Sequence, residues 1–137
     1  MTNARELPSD IRAAGSCLCG AVRYEVTGAL RDVILCHCEM CRKTHGHVAA
    51  YTATAKSALR ISEGRGLKWY QSSKIARRGF CSECGASMFW EPSAKDYIAI
   101  AAGTLDAPTN LKTAVQIHVE SAGDYYAVDE RIRERSP

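Results

Sequence analysis

The strongest constraint on this chain comes from its seven cysteines, which fall into three short clusters. Seven is an odd number, so the cysteines cannot all pair within one chain. Residues 1–10 lack the charged-then-apolar profile of a signal peptide, so we expect a cytoplasmic protein whose thiols stay reduced. Closely spaced cysteines then indicate metal binding. The clusters are Cys17-Leu18-Cys19-Gly20, Cys36-His37-Cys38-Glu39-Met40-Cys41 and Cys81-Ser82-Glu83-Cys84-Gly85.

The first and third clusters share a pattern, since each has two cysteines followed directly by a glycine. A glycine lets the chain turn tightly and aim backbone N–H groups at thiolate sulfurs. Structural zinc takes four tetrahedral ligands, with thiolate sulfur at ~2.3 Å. We therefore predict one closed zinc site that joins two distant turns. Its ligands are Cys17, Cys19, Cys81 and Cys84.

The middle cluster differs, because its three cysteines lie within six residues and can face one metal from a single loop. Three protein ligands and one vacant position are typical of catalytic zinc, which keeps a place for water or substrate. Cys36, Cys38 and Cys41 are therefore predicted to hold a second Zn²⁺. The sequence predicts two zinc ions per chain and leaves the occupancy of the second site open.

Two alternatives to this division stay open. In the first, Cys17 and Cys19 join two of the middle cysteines, which leaves a redox dithiol in the third cluster. In the second, all seven cysteines are structural and a histidine completes the second site. The histidines of the chain are His37, His45, His47 and His118.

The hydrophobic pattern outside the clusters is that of β-strands. Val22, Tyr24 and Val26 alternate with charged residues, as in a half-buried strand. Further candidates recur at roughly 8–15-residue intervals without a long helical period, which predicts an all-β antiparallel sandwich or barrel of short strands. They lie within residues 32–35, 48–52, 67–70, 74–77, 87–90, 97–102, 115–119 and 125–128.

Length and composition are those of one globular domain, with 137 residues, 46% hydrophobic and 24% charged. We expect an N-terminal arm at 1–14, a zinc-binding domain at 15–128 and a C-terminal tail at 129–137. The net charge of +3 is not concentrated in any run of Lys or Arg, which argues against a nucleic-acid partner. No apolar stretch approaches the ~20 residues that span a bilayer, so we expect no membrane partner. Whether the chain forms a homodimer is left open.

These motifs, in this order, resemble the glutathione-dependent formaldehyde-activating enzyme family, which also includes centromere protein V. The resemblance runs from Gly15 to about Val119. It rests on the three cysteine clusters with their flanks, followed by Gly103-Thr104-Leu105-Asp106 and by His118. It implies an Mss4-like all-β fold and the same division of the cysteines into structural and active-site ligands. It also implies a carbon–sulfur lyase that acts on thiol–aldehyde adducts such as S-hydroxymethylglutathione, from formaldehyde and glutathione.

Such a substrate would need anchors and a group that carries a proton. Arg42 follows the middle cluster, and Arg77 and Arg78 precede the third. Their guanidinium forks suit the carboxylates of a small thiol such as glutathione, and solvated strand ends or salt bridges are the alternative. His37 and His118 match family positions and could carry the proton. An open zinc position can bind the thiol as its thiolate, and we favour this role over polarising the aldehyde.

Two other functions compete with the enzyme. A non-catalytic, zinc-stabilised binding module of Mss4-like fold would need the same cysteines. A thiol redox protein would need the third cluster to be metal-free and accessible. The fourth ligand of the second zinc separates the first two, because a protein side chain there favours a module, whereas exchangeable water or thiol favours an enzyme.

Overall fold

Short strands make up most of the regular structure in this computed structural model, which describes residues 10–136. Within that range there is one α-helix, α1 (Glu39–His45), and three single 3₁₀ turns at Lys56–Ala58, Ala102–Thr104 and Val119–Ser121. The all-β prediction is confirmed. The strands are β1 (Ala13–Ser16), β2 (Arg23–Val26), β3 (Val33–Cys36), β4 (Ala49–Ala55), β5 (Leu59–Glu63), β6 (Leu67–Tyr70), β7 (Ala76–Cys81), β8 (Ser87–Pro92), β9 (Tyr97–Ala101), β10 (Thr113–Ile117) and β11 (Arg133–Glu134).

The described strands form two sheets. The larger has the order β11-β10-β3-β4-β9-β8-β7-β6, and the smaller has the order β1-β2-β5. Neighbours from β3 to β6 in the larger sheet, and all those in the smaller, are antiparallel. β10 lies parallel to both β3 and β11, which departs from the purely antiparallel expectation. Parallel neighbours need a long crossover, and the chain from β4 to β9 supplies it between β3 and β10.

The two sheets pack around one apolar core. The alternating Val22, Tyr24 and Val26 are all buried there, as their period predicts. The Tyr24 ring meets Phe89 edge-on, with 5.5 Å between centroids, and its hydroxyl bonds the Thr104 hydroxyl at 2.7 Å. Burial of one such aromatic side chain contributes about 1.5–3 kcal/mol, so this core can hold the sheets together.

A second, smaller core surrounds the middle cysteine cluster. It contains Cys36 at the end of β3 and Cys41 in α1, packed with Tyr51 and with the alanines at 49, 99 and 101. The small alanine side chains of β4 and β9 leave room for the sulfur atoms beside the sheet. Residues of β3, β4 and β9 therefore pack around this cluster, and α1 contributes Cys41 to it.

Several sequence expectations differ from the structure. The strand expected at 125–128 is wrong, because Tyr125 and Tyr126 pack their rings on His47 and do not pair with a strand. The helix α1, which spans only seven residues, was not expected from the sequence. β1 includes two residues of the expected arm, and β11 lies in the expected tail. Residues 1–9 of that arm and 137 of that tail lie outside the described residues.

The described helix and turns are short. Among residues 10–136, no helix has the length and apolar character that crossing a membrane requires.

Candidate functional site

The first and third cysteine clusters meet in space. All four sulfur atoms of Cys17, Cys19, Cys81 and Cys84 lie within 4.8 Å of one another. Cys19 Sγ lies 3.8 Å from Cys17 Sγ and 3.8 Å from Cys81 Sγ. Four sulfurs at ~2.3 Å from one tetrahedral zinc are about 3.8 Å apart, so this donor set fits the ion. The structure thus joins the two turns that the sequence paired, and it brings no middle cysteine into this group.

Tight turns and backbone N–H groups shape this four-cysteine cluster. Gly20 and Gly85 have φ of +84° and +82°, the left-handed region that strains other residues. The Val22 N–H donates to Cys17 Sγ at 3.3 Å, and Cys81 Sγ accepts two backbone N–H groups at 3.4 Å. These donors favour negatively charged sulfur, which is the form that binds a metal.

The middle cluster forms a second group, with the sulfur atoms of Cys36, Cys38 and Cys41 again within 4.8 Å of one another. Cys38 is the N-cap of α1, where its Sγ accepts the N–H of Cys41 at 3.3 Å. Cys36 and Cys41 are buried, whereas Cys38 is partly exposed. Three sulfurs at these distances can supply three of the four ligands of a tetrahedral metal ion. All seven cysteines, which lie within the described residues, are free thiols.

Arg78 lies against the middle cluster. Its side chain is 6% exposed, with Nη2 donating to Cys41 Sγ at 3.6 Å and Nη1 to the Tyr51 hydroxyl at 3.4 Å. The pKa of Cys41 falls to about 5, because hydrogen bonding with Cys36 and then the bond and charge of Arg78 favour the thiolate. Hydrogen bonding with Cys41 and burial raise the pKa of Cys36. Cys41 is therefore the thiolate of this cluster that the protein itself stabilises.

The buried Tyr51 and the partly buried His45 form a polar pair beside Arg78. The Tyr51 hydroxyl lies 2.7 Å from His45 Nε2, with 5.2 Å between ring centroids. Burial, and then the charge of Arg78, lower the pKa of His45 to about 4, so its imidazole is neutral near pH 7. A neutral Nε2 can accept the Tyr51 hydroxyl hydrogen while that oxygen accepts from Arg78. Burial also raises the pKa of Tyr51.

The sequence spacing of His45 and Tyr51 did not predict that they form a hydrogen-bonded pair beside the cleft. His45 is the last residue of α1 and Tyr51 lies six positions later in β4, so only the return of the chain into β4 brings the rings together. The only signal in the sequence that could have pointed to them is that both residues follow the middle cluster closely along the chain.

A cleft of ≈ 250 Å³ opens beside these groups. Ligand sites for drug-sized molecules span ~300–1,000 Å³, so this cleft would take a small molecule or one end of a larger one. Its lining combines polar side chains with aromatic rings. It is lined by Thr44, Tyr51, Tyr70, Arg78, Gly79, Phe80, Gly85, Ser87 and Phe89.

The structure does not bring His37 into this cleft. The side chain is 3% exposed, with Nδ1 at 2.7 Å from the Tyr126 hydroxyl and Nε2 at 3.0 Å from Gln116 Oε1. The Gln116 amide nitrogen donates to the carbonyls of Asp129 and Ile132, which fixes the amide orientation. His37 Nε2–H therefore donates to Oε1, and both ring nitrogens have partners. This side chain fastens the C-terminal segment instead of facing the cysteines.

His118 also lies away from the cleft. It follows β10 with φ of +56°, and its Nδ1 lies 3.6 Å from Glu120 Oε2. It borders a separate surface hollow together with Glu134 and Arg135. The structure thus places neither expected histidine where a proton would be exchanged with a ligand of the cleft.

Of the three expected arginines, only Arg78 lines the cleft. Arg77 Nε donates to Glu91 Oε1 at 2.7 Å, and its guanidinium stacks on Trp69 at 3.9 Å from the ring centroid. Arg42 is half-buried on α1, and among residues 10–136 its buried Nε has no hydrogen-bond partner. Arg77 is therefore occupied in an ion pair on the sheet, which is the alternative that the sequence left open for it.

Known families and structures agree with this architecture. Residues 12–121 match the model of the family described as glutathione-dependent formaldehyde-activating enzyme, a stretch that includes all seven cysteines and Arg78. An uncharacterised lyase of Schizosaccharomyces pombe is 28% identical over 114 residues, or 82% of each chain. The crystal structure of a Rhodobacter sphaeroides protein has a TM-score of 0.57 and 30% identity, covering 69% of this chain and 88% of that one.

Proposed function

Because this chain belongs to the glutathione-dependent formaldehyde-activating enzyme family, we propose that it is a zinc-dependent carbon–sulfur lyase acting on thiol–aldehyde adducts. The observation that carries the proposal is the three-cysteine cluster beside a cleft that holds Arg78 and Tyr51. The lyase name of the yeast relative supports the reaction class. The family description supports glutathione and formaldehyde as the thiol and the aldehyde.

The two cysteine clusters would serve different purposes. Cys17, Cys19, Cys81 and Cys84 would hold a closed structural zinc, and Cys36, Cys38 and Cys41 would hold a second one beside the cleft. Zinc at the second site would bind a thiol as its thiolate and lower the thiol pKa. Cys38 is the partly exposed member of this cluster, so the thiol would approach from its side.

Tyr51 is the group best placed to move the proton of the reaction. When the adduct forms, sulfur bonds to the carbonyl carbon, the C=O π pair moves onto oxygen, and this oxygen takes one proton. Burial raises the pKa of Tyr51, so its hydroxyl keeps its proton near pH 7 and can give it to this oxygen, while the Arg78 cation offsets the charge of the phenolate left behind. The proton lost by the ionising thiol restores the phenol. Breaking the adduct runs these transfers in reverse.

The experiment that tests this function measures the exchange of ¹³C-formaldehyde with S-hydroxymethylglutathione by NMR. The adduct also forms without protein, so the quantity of interest is the acceleration. We expect the zinc-loaded protein to accelerate exchange, and Cys38→Ser to remove the acceleration while leaving the four-cysteine zinc in place. General acid catalysis and metal activation together contribute factors well above ~10², so the loss should be large.

Two results of the exchange experiment would contradict the proposal. If the protein binds two zinc ions but does not accelerate exchange with glutathione or with other small thiols, the lyase proposal is wrong. Unchanged exchange in Cys38→Ser would instead remove the middle cluster from the chemistry. The zinc-stabilised binding module would be favoured by the first of these results.

A further inference from the structure

Arg78 is a buried cation without a buried carboxylate beside it. Among residues 10–136, its guanidinium forms no ion pair with Asp or Glu, although Arg60, Arg65, Arg77 and Arg131 all do. A charge removed from water is costly unless an opposite charge compensates it. The anionic partner within reach is Cys41 Sγ, at 3.6 Å from Nη2. The cysteine cluster is therefore the counter-ion of this arginine.

The net charge of the cysteine cluster also favours a cation beside it. Three thiolates carry three negative charges, and a divalent cation cancels only two of them. A fourth, incoming thiolate would raise the net charge of the centre to −2, which opposes its own binding. The Arg78 cation reduces this to −1. The guanidinium of Arg78 also donates to the Tyr51 hydroxyl through Nη1, and these two contacts fix the position of its positive charge.

We propose that Arg78 is a positioning residue whose fixed charge lets the three-cysteine centre accept an anionic sulfur ligand in its open position. The inference rests on the proposed function, since it requires a metal at Cys36, Cys38 and Cys41. It assigns Arg78 to the centre, where the sequence suggested an anchor for substrate carboxylates. It predicts that the centre prefers anionic to neutral ligands, and that this preference depends on Arg78.

The test compares two ligands at the same open position. The protein is loaded with Co²⁺, and glutathione or imidazole is titrated at constant pH while the visible and charge-transfer bands are followed. The saturated four-cysteine site gives a constant background. Wild type should bind glutathione with a new sulfur-to-cobalt band. Arg78→Gln keeps an amide donor and loses the charge, so glutathione affinity should fall about 10–100-fold, whereas imidazole affinity should stay unchanged.

Two further variants complete the design. Arg78→Lys retains the charge and should keep glutathione affinity much closer to wild type than Arg78→Gln does. Arg60→Met removes an exposed arginine of the smaller sheet and should change neither affinity. Cobalt retained at the four-cysteine site shows that each variant is folded. If Arg78→Gln does not fold, the comparison of Arg78→Lys with wild type and the wild-type preference for glutathione over imidazole decide the question.

The outcomes separate the two proposals. A wild-type centre that takes up no Co²⁺, or no thiol, overturns the proposed function. A wild-type centre that binds glutathione, with Arg78→Gln binding it equally well, overturns only the inference about Arg78. Equal weakening of glutathione and imidazole in Arg78→Gln also overturns it, because that result marks a structural role.

Discussion

At the scale of single residues, the chemistry of the site depends on which side chains share the interior with the middle cysteines. Arg78 and Tyr51 lie there, whereas Arg77 faces Glu91 and Trp69. Consecutive residues of a strand point to opposite faces, so only one of two adjacent arginines can reach the cysteine cluster. The sequence shows both arginines and cannot decide between them. The pairing of the strands decides it.

The partly buried His45 makes the stability of the fold depend on pH. Its folded pKa of about 4 lies below the usual value of ~6.5, so the unfolded chain binds more protons between these values. The stability that the neutral His45 contributes is present above pH ~6.5 and is lost as the pH falls toward 4. His45→Gln keeps an acceptor for Tyr51 and removes the titration.

Urea unfolding of wild type and His45→Gln, both with excess zinc, measures this effect. Between pH 6.5 and 4.5 the wild-type protein should lose about 1–2 kcal/mol more than the variant, a figure lowered for the partial exposure of the ring. Parallel stability curves for the two proteins would contradict the assignment.

At the scale of elements, the C-terminal segment 122–135 is fastened to β3 and β10 by polar side chains. Gln116 is 1% exposed, and its amide joins His37 to the carbonyls of Asp129 and Ile132. Because His37 lies between two cysteines of the middle cluster, this network ties the cluster loop to the end of the chain. The two tyrosines of the segment add ring contacts with His37 and His47.

Gln116→Leu should loosen this segment. It leaves the buried His37 Nε2–H and two partly buried carbonyls without partners, at a cost of about 2–4 kcal/mol in the free energy of unfolding. Hydrogen exchange followed by mass spectrometry should increase in residues 122–135. Gln71→Leu is the matched control, because Gln71 also donates to two carbonyls but is exposed, and water can replace it. Equal effects of the two substitutions would contradict the role of burial.

Most strands with clear alternation or an apolar run were predictable, although β5 was missed, and elements that depend on distant contacts were not. The period of Val22, Tyr24 and Val26 located β2, and β6 matches the expected 67–70. α1 was missed because its stability comes from the Cys38 cap and the left-handed Gly46, and not from an amphipathic repeat. β11 has only two residues, too few for a period to appear, and β1 consists of small residues without alternation.

At the scale of the whole molecule, cysteine spacing was the most informative part of the sequence. A thiolate turn is local, so its ligands can be recognised from a few residues, and seven sulfurs divide into four and three in only a few sensible ways. The roles of the histidines could not be predicted from local sequence, because the hydrogen-bond partners of His37 lie some eighty to ninety residues further along the chain. Long-range packing set those contacts.

The measurement that tests the central claim most directly is the metal content of the purified protein and of two variants. Structural zinc contributes an apparent ~10–16 kcal/mol, comparable to the ~5–15 kcal/mol stability of a whole domain. We predict two zinc ions per chain in wild type, one in a folded Cys38→Ser, and an unfolded or molten Cys81→Ser. A Cys38→Ser variant that keeps both ions, or a Cys81→Ser variant that keeps the wild-type thermal transition, would contradict the division into four and three.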